Sequence, residues 1–326
     1  MKGATRMRRK PCDITFIGTA LVDSIIRGLD PVPVSATGYR ADSGTLAVGG
    51  EAVNGALAAA KLGLSPRILC FLGQDTAGDL VAAALTAGGV DAAAVLRTAD
   101  HPTPVSTLLV ALDGTRRSVT NAAHRYNFHP ERYLDALSPS RFLVLGSLFR
   151  APFDDPTVVS GVLNSPGAAG AVILADTKLP NFKKLTLADL ADSLPRIDYL
   201  FPNEDEGAWC TGQTDPEAMA DVFLSHGVKN VVIKLGARGC FFKNESERYR
   251  LDAYRIDPAD ATGAGDNFLA GFAAALRDGQ DHPSALRLAN ACGAICTTAL
   301  GASAALRDRA QADAFIRAHP DPLRLP

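Results

Sequence analysis

The sequence predicts an α/β fold in which a doubly wound, mostly parallel sheet is flanked by helices and carries a small β-sheet lid. Three observations predict it. Short apolar runs alternate with Ala- and Leu-rich stretches of helical period, which is typical of βαβ units. The strand-like runs are apolar throughout, as in strands buried on both faces. Two stretches of extended chain, 30–48 and 103–128, interrupt this alternation.

The main elements follow one another along the chain with glycines at many of their ends. Helical patterns cover 53–62 and 79–86, and each is closed by glycine. From residue 267 onward the pattern is largely helical. The strand-like runs are 14–18, 67–72, 141–146, 171–175, 197–201, 230–235 and 240–242.

The two interrupting stretches predict an inserted lid. In the second, Asp113 and Gly114 separate two strand-like runs, which indicates a hairpin. A small β appendage over the carboxyl edge of the sheet would act as a lid. The predicted division is a main domain of 1–29, 49–102 and 129–326, and a lid of 30–48 and 103–128.

Composition narrows the function classes. The chain has 326 residues, 47% hydrophobic and 21% charged, with a net charge of -2. This balance argues against a whole-surface nucleic-acid binder or a polybasic membrane binder. A membrane-spanning helix needs an apolar run of about 18 residues. The sequence has no apolar run of that length, so no membrane span is predicted. The basic N-terminus lacks the apolar segment of a signal peptide, and six cysteines without a CxxC pair indicate a cytoplasmic protein with reduced thiols.

The strongest candidate site is 260–266 (Asp-Ala-Thr-Gly-Ala-Gly-Asp), which opens an apolar-periodic helix. Glycines at a helix N-terminus let free N–H groups approach an anion, and the helix adds partial positive charge. Asp266 could then accept a proton from a hydroxyl that attacks a γ-phosphate. The alternative is that Asp266 only caps the helix and that the glycines only turn the chain.

Four further segments are 49–63, beginning Gly-Gly-Glu-Ala-Val-Asn-Gly, 73–78 (Gly-Gln-Asp-Thr-Ala-Gly), 202–206 (Pro-Asn-Glu-Asp-Glu) and 235–239 (Leu-Gly-Ala-Arg-Gly). Together with 260–266, they resemble the signatures of the ribokinase / phosphofructokinase-B (PfkB) family of sugar and nucleoside kinases. The resemblance covers roughly residues 13–305, with the five elements in the family's order. It implies a ribokinase-like fold and ATP-dependent phosphorylation.

The resemblance also implies roles for individual residues. Asp266 would be the general base, and the amides of Gly263, Ala264 and Gly265 would form the anion hole. The acceptor sugar would be bound by Asp23, Gly49, Gly50 and Asn54. Carboxylate and amide groups can serve several hydroxyls at once, which suits a polyol. The alternatives are a helix or turn cap for Asp23 and an exposed helix position for Asn54.

On the nucleotide side the resemblance implies ATP and Mg²⁺. Nucleotide-binding residues would be Asn203, Lys234, Gly236, Gly239 and Asn290, with Glu206 at the metal. The alternatives are a surface acidic turn around Glu206, an edge-strand charge at Lys234 and an exposed helix position at Asn290. Lys178 either meets phosphate or faces solvent. Some relatives bind K⁺ near the counterparts of Asp260 and the loop 301–305, but Ala305 stands where K⁺-using relatives have Ser.

The favoured function is an ATP-dependent kinase that phosphorylates a hydroxymethyl group of a small sugar. A nucleoside kinase is the second hypothesis, with Tyr39, Tyr126 and Phe128 as candidates for a base pocket. A non-catalytic sugar or nucleotide sensor is the third. His124, Arg125 and Tyr126 are further candidates to reach substrate. Pairing of the lid across a two-fold axis predicts a homodimer.

Overall fold

The structure is a computed structural model, and it describes residues 12–29, 38, 40–112, 116–121, 128–181, 183–320 and 322–324. Fourteen strands and eight α-helices are assigned within these ranges. The strands are β1 (Ile14–Ile17), β2 (Leu21–Leu29), β3 (Ser43–Gly49), β4 (Pro66–Gly73), β5 (Asp91–Thr98), β6 (Val105–Ala111), β7 (Arg116–Thr120), β8 (Phe142–Leu148), β9 (Val172–Thr177), β10 (Tyr199–Phe201), β11 (Asn230–Lys234), β12 (Cys240–Asn244), β13 (Arg248–Leu251) and β14 (Leu323–Arg324). The helices are α1 (Glu51–Lys61), α2 (Thr76–Ala87), α3 (Pro156–Asn164), α4 (Glu204–Thr211), α5 (Pro216–Ser225), α6 (Ala264–Arg277), α7 (His282–Cys296) and α8 (Arg309–Ala318).

The main sheet has ten strands in the order β14-β13-β12-β11-β10-β9-β8-β1-β4-β5. The seven strands from β11 to β5 are parallel, and β12, β13 and β14 extend one edge with antiparallel pairing. Helices α1, α2, α6, α7 and α8 contribute to the core on one face, and α3, α4 and α5 to the core on the other. This architecture confirms the predicted fold class.

Small residues bring the helices close to the sheet and to one another. A Cβ atom added to Gly55 of α1 would lie 2.5 Å from the Phe16 ring, and one added to Gly271 of α6 would lie 3.0 Å from Ala289 of α7. Side chains at these positions would push the elements apart, since protein cores are close-packed. The Ala- and Gly-rich composition therefore permits α1, α6 and α7 to pack tightly over the strand ends that carry polar residues.

A second, four-stranded sheet has the order β3-β2-β6-β7. The hairpin prediction is confirmed, because β6 and β7 pair antiparallel with Ser106 opposite Thr120. The turn at Asp113 and Gly114 lies outside the described residues. The small sheet also contains β2, a segment that the predicted division placed in the main domain. Only three residues separate β2 from β1, so the chain leaves one sheet and enters the other without an intervening helix.

Among the described residues, no helix combines the length and apolar character needed to cross a lipid bilayer.

Candidate active site

A cleft of about 820 Å³ opens at the carboxyl ends of β9, β10 and β11, facing the start of α6. Ligands of open α/β sheets bind at this edge, because the strand ends expose polar groups and helix N-termini converge there. The structure brings ten of the predicted site residues to this one cleft. They are Asn203, Glu206, Lys234, Gly236, Gly239, Gly263, Ala264, Gly265, Asp266 and Asn290, and Lys178 joins them.

The start of α6 has the geometry of an anion site. Gly263 caps the helix with a φ of 77°, in the left-handed region that favours glycine. A Cβ atom at this position would lie 2.2 Å from the Cβ of Ala302. The preceding loop is held by the buried carboxylate of Asp260, which accepts hydrogen bonds from the N–H groups of Thr262 and Gly301. The first-turn amides of α6 are therefore held in place at the wall of the cleft.

Asp266 lies in the first turn of α6 and borders the cleft. Burial raises the pKa of Asp266 to about 6, with further upward contributions from the charges of Asp176 and Glu51. The positive charge of Lys178 and a hydrogen bond from Asn54 act in the opposite direction. The carboxyl group is thus mostly ionised at neutral pH, yet it is a stronger base than an exposed aspartate.

Lys234 is the central cation of the cleft floor. Its Nζ lies 2.5 Å from Asp176 Oδ1, and the two side chains are only 15% and 12% exposed. Burial lowers the pKa of Lys234, but the charges of Asp176 and Glu206 outweigh it, so the net shift is upward. A Cβ atom on Gly265 would lie 3.2 Å from this Nζ. Lys234 therefore lies beside the start of α6 as a charged side chain.

Asn203 and Glu206 form a capping box at the start of α4. The Glu206 N–H donates to Asn203 Oδ1, and the Asn203 N–H donates to Glu206 Oε2, both at 2.9 Å. Thr177 Oγ1 also donates to Glu206 Oε2, at 2.8 Å. Burial raises the pKa of Glu206, and Lys234 opposes this rise. The alternative of a surface acidic turn therefore does not describe Glu206, because this side chain is buried and borders the cleft.

The other nucleotide-side predictions line the far wall of the cleft. Gly239 has a φ of 90°, and a Cβ atom there would lie 1.9 Å from the carbonyl oxygen of Leu251, so only glycine fits. Gly236 starts the short turn before it. Asn290 is 7% exposed and donates from Nδ2 to the carbonyl oxygen of Asp252 at 2.7 Å. The alternative of an exposed helix position for Asn290 is wrong, because α7 packs this side chain inward.

The acceptor-side predictions lie next to the start of α1. Asp23 is on β2 of the small sheet, and its Oδ2 would be 2.3 Å from a Cβ atom on Gly49. Burial and the charge of Asp260 raise the pKa of Asp23 to about 6. Gly50 has a φ of 95° and passes against the Thr19 carbonyl. Asn54 is 5% exposed, so its exposed-position alternative is also wrong.

Three contributors to the site were missed or left open at the sequence level. Asp176 pairs with Lys234, Glu51 Oε1 accepts the N–H of Thr19 at 2.7 Å, and Arg27 Nη2 lies 3.5 Å from the Asp260 carboxylate. A polar residue that ends an apolar strand-like run, as Asp176 does, was an available signal. For Arg27 the sequence held no signal, because the pair joins a strand of the small sheet to the loop before α6, more than 200 positions further along the chain.

Several predicted residues fall outside the described part of the chain, namely His124, Arg125, Tyr126 and Tyr39. Phe128 is described and is buried, with its ring centroid 6.2 Å from that of Phe71. Both rings line a small cavity beside Thr19 and Ala20.

Comparison with known proteins places this geometry in a family. Residues 13–309 match the profile described as pfkB family carbohydrate kinase. A 2-dehydro-3-deoxygluconokinase of Bacillus subtilis is 28% identical over 284 residues, which cover 82% of this chain and 86% of that protein. A ribokinase of Staphylococcus aureus is 26% identical over 270 residues, covering 79% and 84%. The crystal structure of a Thermotoga maritima ribokinase superposes with a TM-score of 0.78 at 25% identity, covering 94% and 99%. The predicted family and the predicted ATP-dependent sugar kinase class are confirmed, and the chain belongs to the pfkB family of carbohydrate kinases.

Proposed function

We propose that this kinase transfers the γ-phosphate of ATP to a hydroxymethyl group of a small sugar, with Asp266 as the general base. One observation carries the proposal. Asp266 lies in the first turn of a glycine-capped helix whose N-terminus borders an 820 Å³ cleft. Asp266 also has a pKa raised to about 6 by burial. The candidate base and the candidate anion site thus lie on one wall of the cleft. Phosphoryl transfer requires such an arrangement, because the acceptor hydroxyl and the transferred phosphoryl group must meet there.

The acceptor hydroxyl gives its proton to the Asp266 carboxylate while its oxygen forms a bond to the γ-phosphorus. The bond from that phosphorus to the bridging β-phosphate oxygen breaks, and ADP leaves. The amides of Gly263, Ala264 and Gly265 face the developing negative charge, and Lys234 adds a fixed positive charge near Gly265. Asp23 and the backbone at Gly49 and Gly50 would hold the other hydroxyls of the sugar.

On the nucleotide side, Gly236, Gly239, Asn203 and Asn290 would line the site of ATP, since all four border the cleft. Glu206 presents a buried carboxylate at the cleft floor. Mg²⁺ prefers oxygen ligands and usually keeps waters and phosphate oxygens, so Glu206 fits a role in holding it, directly or through water. When bound, the ion would neutralise phosphate charge. K⁺ has no part in the proposal, because Arg27 already faces Asp260.

Replacing Asp266 by Asn tests the base. We expect ADP release to fall by about 10²- to 10⁴-fold, the usual contribution of general-base catalysis, while ATP binding measured by calorimetry is retained. Asp192→Asn, at an exposed site away from the cleft, is the matched control and should leave both unchanged. Turnover that survives in the Asp266 variant would refute the assignment.

A screen for ADP release over pentoses, hexoses and nucleosides tests the acceptor class. Release with a sugar supports the proposal, and release with nucleosides alone would favour the nucleoside-kinase alternative. Binding of a sugar without turnover for any acceptor would favour a sensor.

We also propose a homodimer formed through the small sheet. Strand pairing aligns four residues in one row across the small sheet, and their side chains share a face. In the order β3-β2-β6-β7 they are Leu46, Ser24, Thr107 and Val119. Leu46 is 64% exposed and Val119 is 70% exposed. A second copy of the chain that packs on this face would cover the exposed Leu46 and Val119 side chains. Sedimentation should show a dimer, which Val119→Lys weakens; a monomer at working concentration would contradict it.

A further inference from the structure

The side chain of Asn54 makes a direct contact with the candidate base. Asn54 Nδ2, on α1, donates a hydrogen bond of 2.8 Å to Asp266 Oδ2, on α6, although 212 positions separate the two residues. Among the described residues this is the only side-chain hydrogen bond to the Asp266 carboxylate. The contact exists because α1 packs directly against α6. The start of α1 therefore reaches the base itself and not only the acceptor side.

The other end of the Asn54 amide shows what sets its orientation. Asn54 is 5% exposed, and its Oδ1 is buried without a hydrogen-bond partner among the described residues. A buried amide usually satisfies both its oxygen and its nitrogen. Here only the nitrogen is satisfied, and its partner is Asp266. The amide is thus held with its donor toward the base at the expense of its acceptor.

We propose that Asn54 is a positioning residue for Asp266, holding its carboxylate in one orientation and favouring its charged form. This rests on the proposed function, in which Asp266 is the base. A donor bonded to a carboxylate stabilises the ionised state. It also occupies Oδ2, which leaves Oδ1 to take the proton of the acceptor hydroxyl.

The charges around Asp266 make this donor important. Two carboxylates that face it favour protonation, and a nearby ammonium group favours ionisation. Lys234 and the Cys296 thiol also lie within its electrostatic reach. Asn54 adds a neutral donor at contact distance, which does not depend on the ionisation of any neighbour. The charged neighbours of Asp266 are Glu51 from α1, Asp176 from β9, Lys178 from the segment after β9 and Lys234 from β11.

The direct test measures the titration of Asp266 by carbon-13 NMR of protein labelled at the aspartate carboxyl carbons. The Asp266→Asn variant assigns the signal, and we expect a wild-type midpoint near 6. Asn54→Ala should raise this midpoint by about 0.5 to 1 pH unit, since several donors together lower such values by about 2 units. Asn164→Ala, at an exposed site on α3, is the control and should leave the midpoint unchanged.

A second variant, Asn54→Asp, tests the proposal if Asn54→Ala does not fold. Asn54→Asp has nearly the same shape but no donor when ionised, so two adjacent carboxylates would share one proton. The upper midpoint of the pair should then lie above the wild-type value. A midpoint that stays unchanged or falls in the folded Asn54 variants would overturn the proposal.

Kinetics separates positioning from simple sugar contact. We expect kcat of Asn54→Ala to fall by about 10- to 100-fold, and the acid limb of the kcat profile to move to higher pH with the NMR midpoint. A rise in KM for the acceptor with kcat and its pH profile unchanged would overturn the positioning role. If the wild-type protein phosphorylates no acceptor, the proposed function fails, yet the NMR midpoint still decides whether Asn54 acts on Asp266.

Discussion

Gly263 is the position where a single added methyl group should damage the anion site most. Its φ of 77° lies in the left-handed region, which costs a residue with a Cβ atom about 1–2 kcal/mol. The added Cβ would also lie 2.2 Å from the Ala302 Cβ and 2.7 Å from its Cα. Overpacking of this kind typically costs about 1–3 kcal/mol. Gly263→Ala should therefore lower the free energy of unfolding by about 2–5 kcal/mol.

The same change should disturb catalysis, because the first-turn amides of α6 would move away from the position of the transferred phosphoryl group. Loss of one such donor costs about 10²- to 10³-fold in turnover. The free energy of unfolding would be measured by urea denaturation, and turnover by ADP release from folded protein.

A matched control exists at the other end of the same helix. Gly279 has a φ of 74°, but an added Cβ atom there meets nothing within 4 Å. Gly279→Ala should show only the backbone cost, about 1–2 kcal/mol, with normal turnover. If Gly263→Ala is as stable as Gly279→Ala and fully active, the argument that this glycine shapes the anion site is wrong.

Two further predictions concern the charges of the cleft. Lys234→Met should lower the free energy of unfolding by about 3–5 kcal/mol at neutral pH, because it leaves the buried Asp176 carboxylate without its cation; a loss below about 1 kcal/mol in urea denaturation would contradict this. Asp266→Asn should be more stable than wild type at pH 8 by about 2–3 kcal/mol, since a pKa raised from 3.8 to about 6 means that ionised Asp266 destabilises the folded state. The wild-type protein regains this stability as pH falls through 6, because folded Asp266 then takes up a proton. The difference in stability between the two proteins should therefore disappear near pH 4, where their thermal melts should coincide.

The alternation of strands and helices could be predicted because it depends on local pattern. Each run such as 67–72 or 230–235 is apolar over its own length, and the glycines that end the elements stand beside them. The anion site is local too, since Gly263, Gly265 and Asp266 are within four positions of one another and at the start of one helix. Their roles as a group remain predictions that the Asp266 variant tests.

The membership of β2 in the small sheet could not be predicted in the same way. The segment Leu21–Leu29 follows β1 after three residues. Gly18 indicates where β1 ends, but it does not indicate which sheet the next strand joins. The partner β3 of this segment is the next described strand along the chain, but its other partner β6 comes from a distant part of the chain. Pairing of this kind depends on which edges are free in the folded protein.

The sequence by itself thus determines which segments form strands and helices, where the helices begin and where the glycine-capped loop before α6 lies. It can do so because dihedral preferences and hydrophobic periodicity act between near neighbours in the chain. Packing alone decided which remote side chains would meet. Asn54 reaches Asp266 only because α1 and α6 are in contact, and Arg27 reaches Asp260 only because the small sheet meets the loop before α6. The ionisation of Asp266 belongs to this second group, since burial and the charges of Asp176 and Lys178 exist only once the strands and helices have come together.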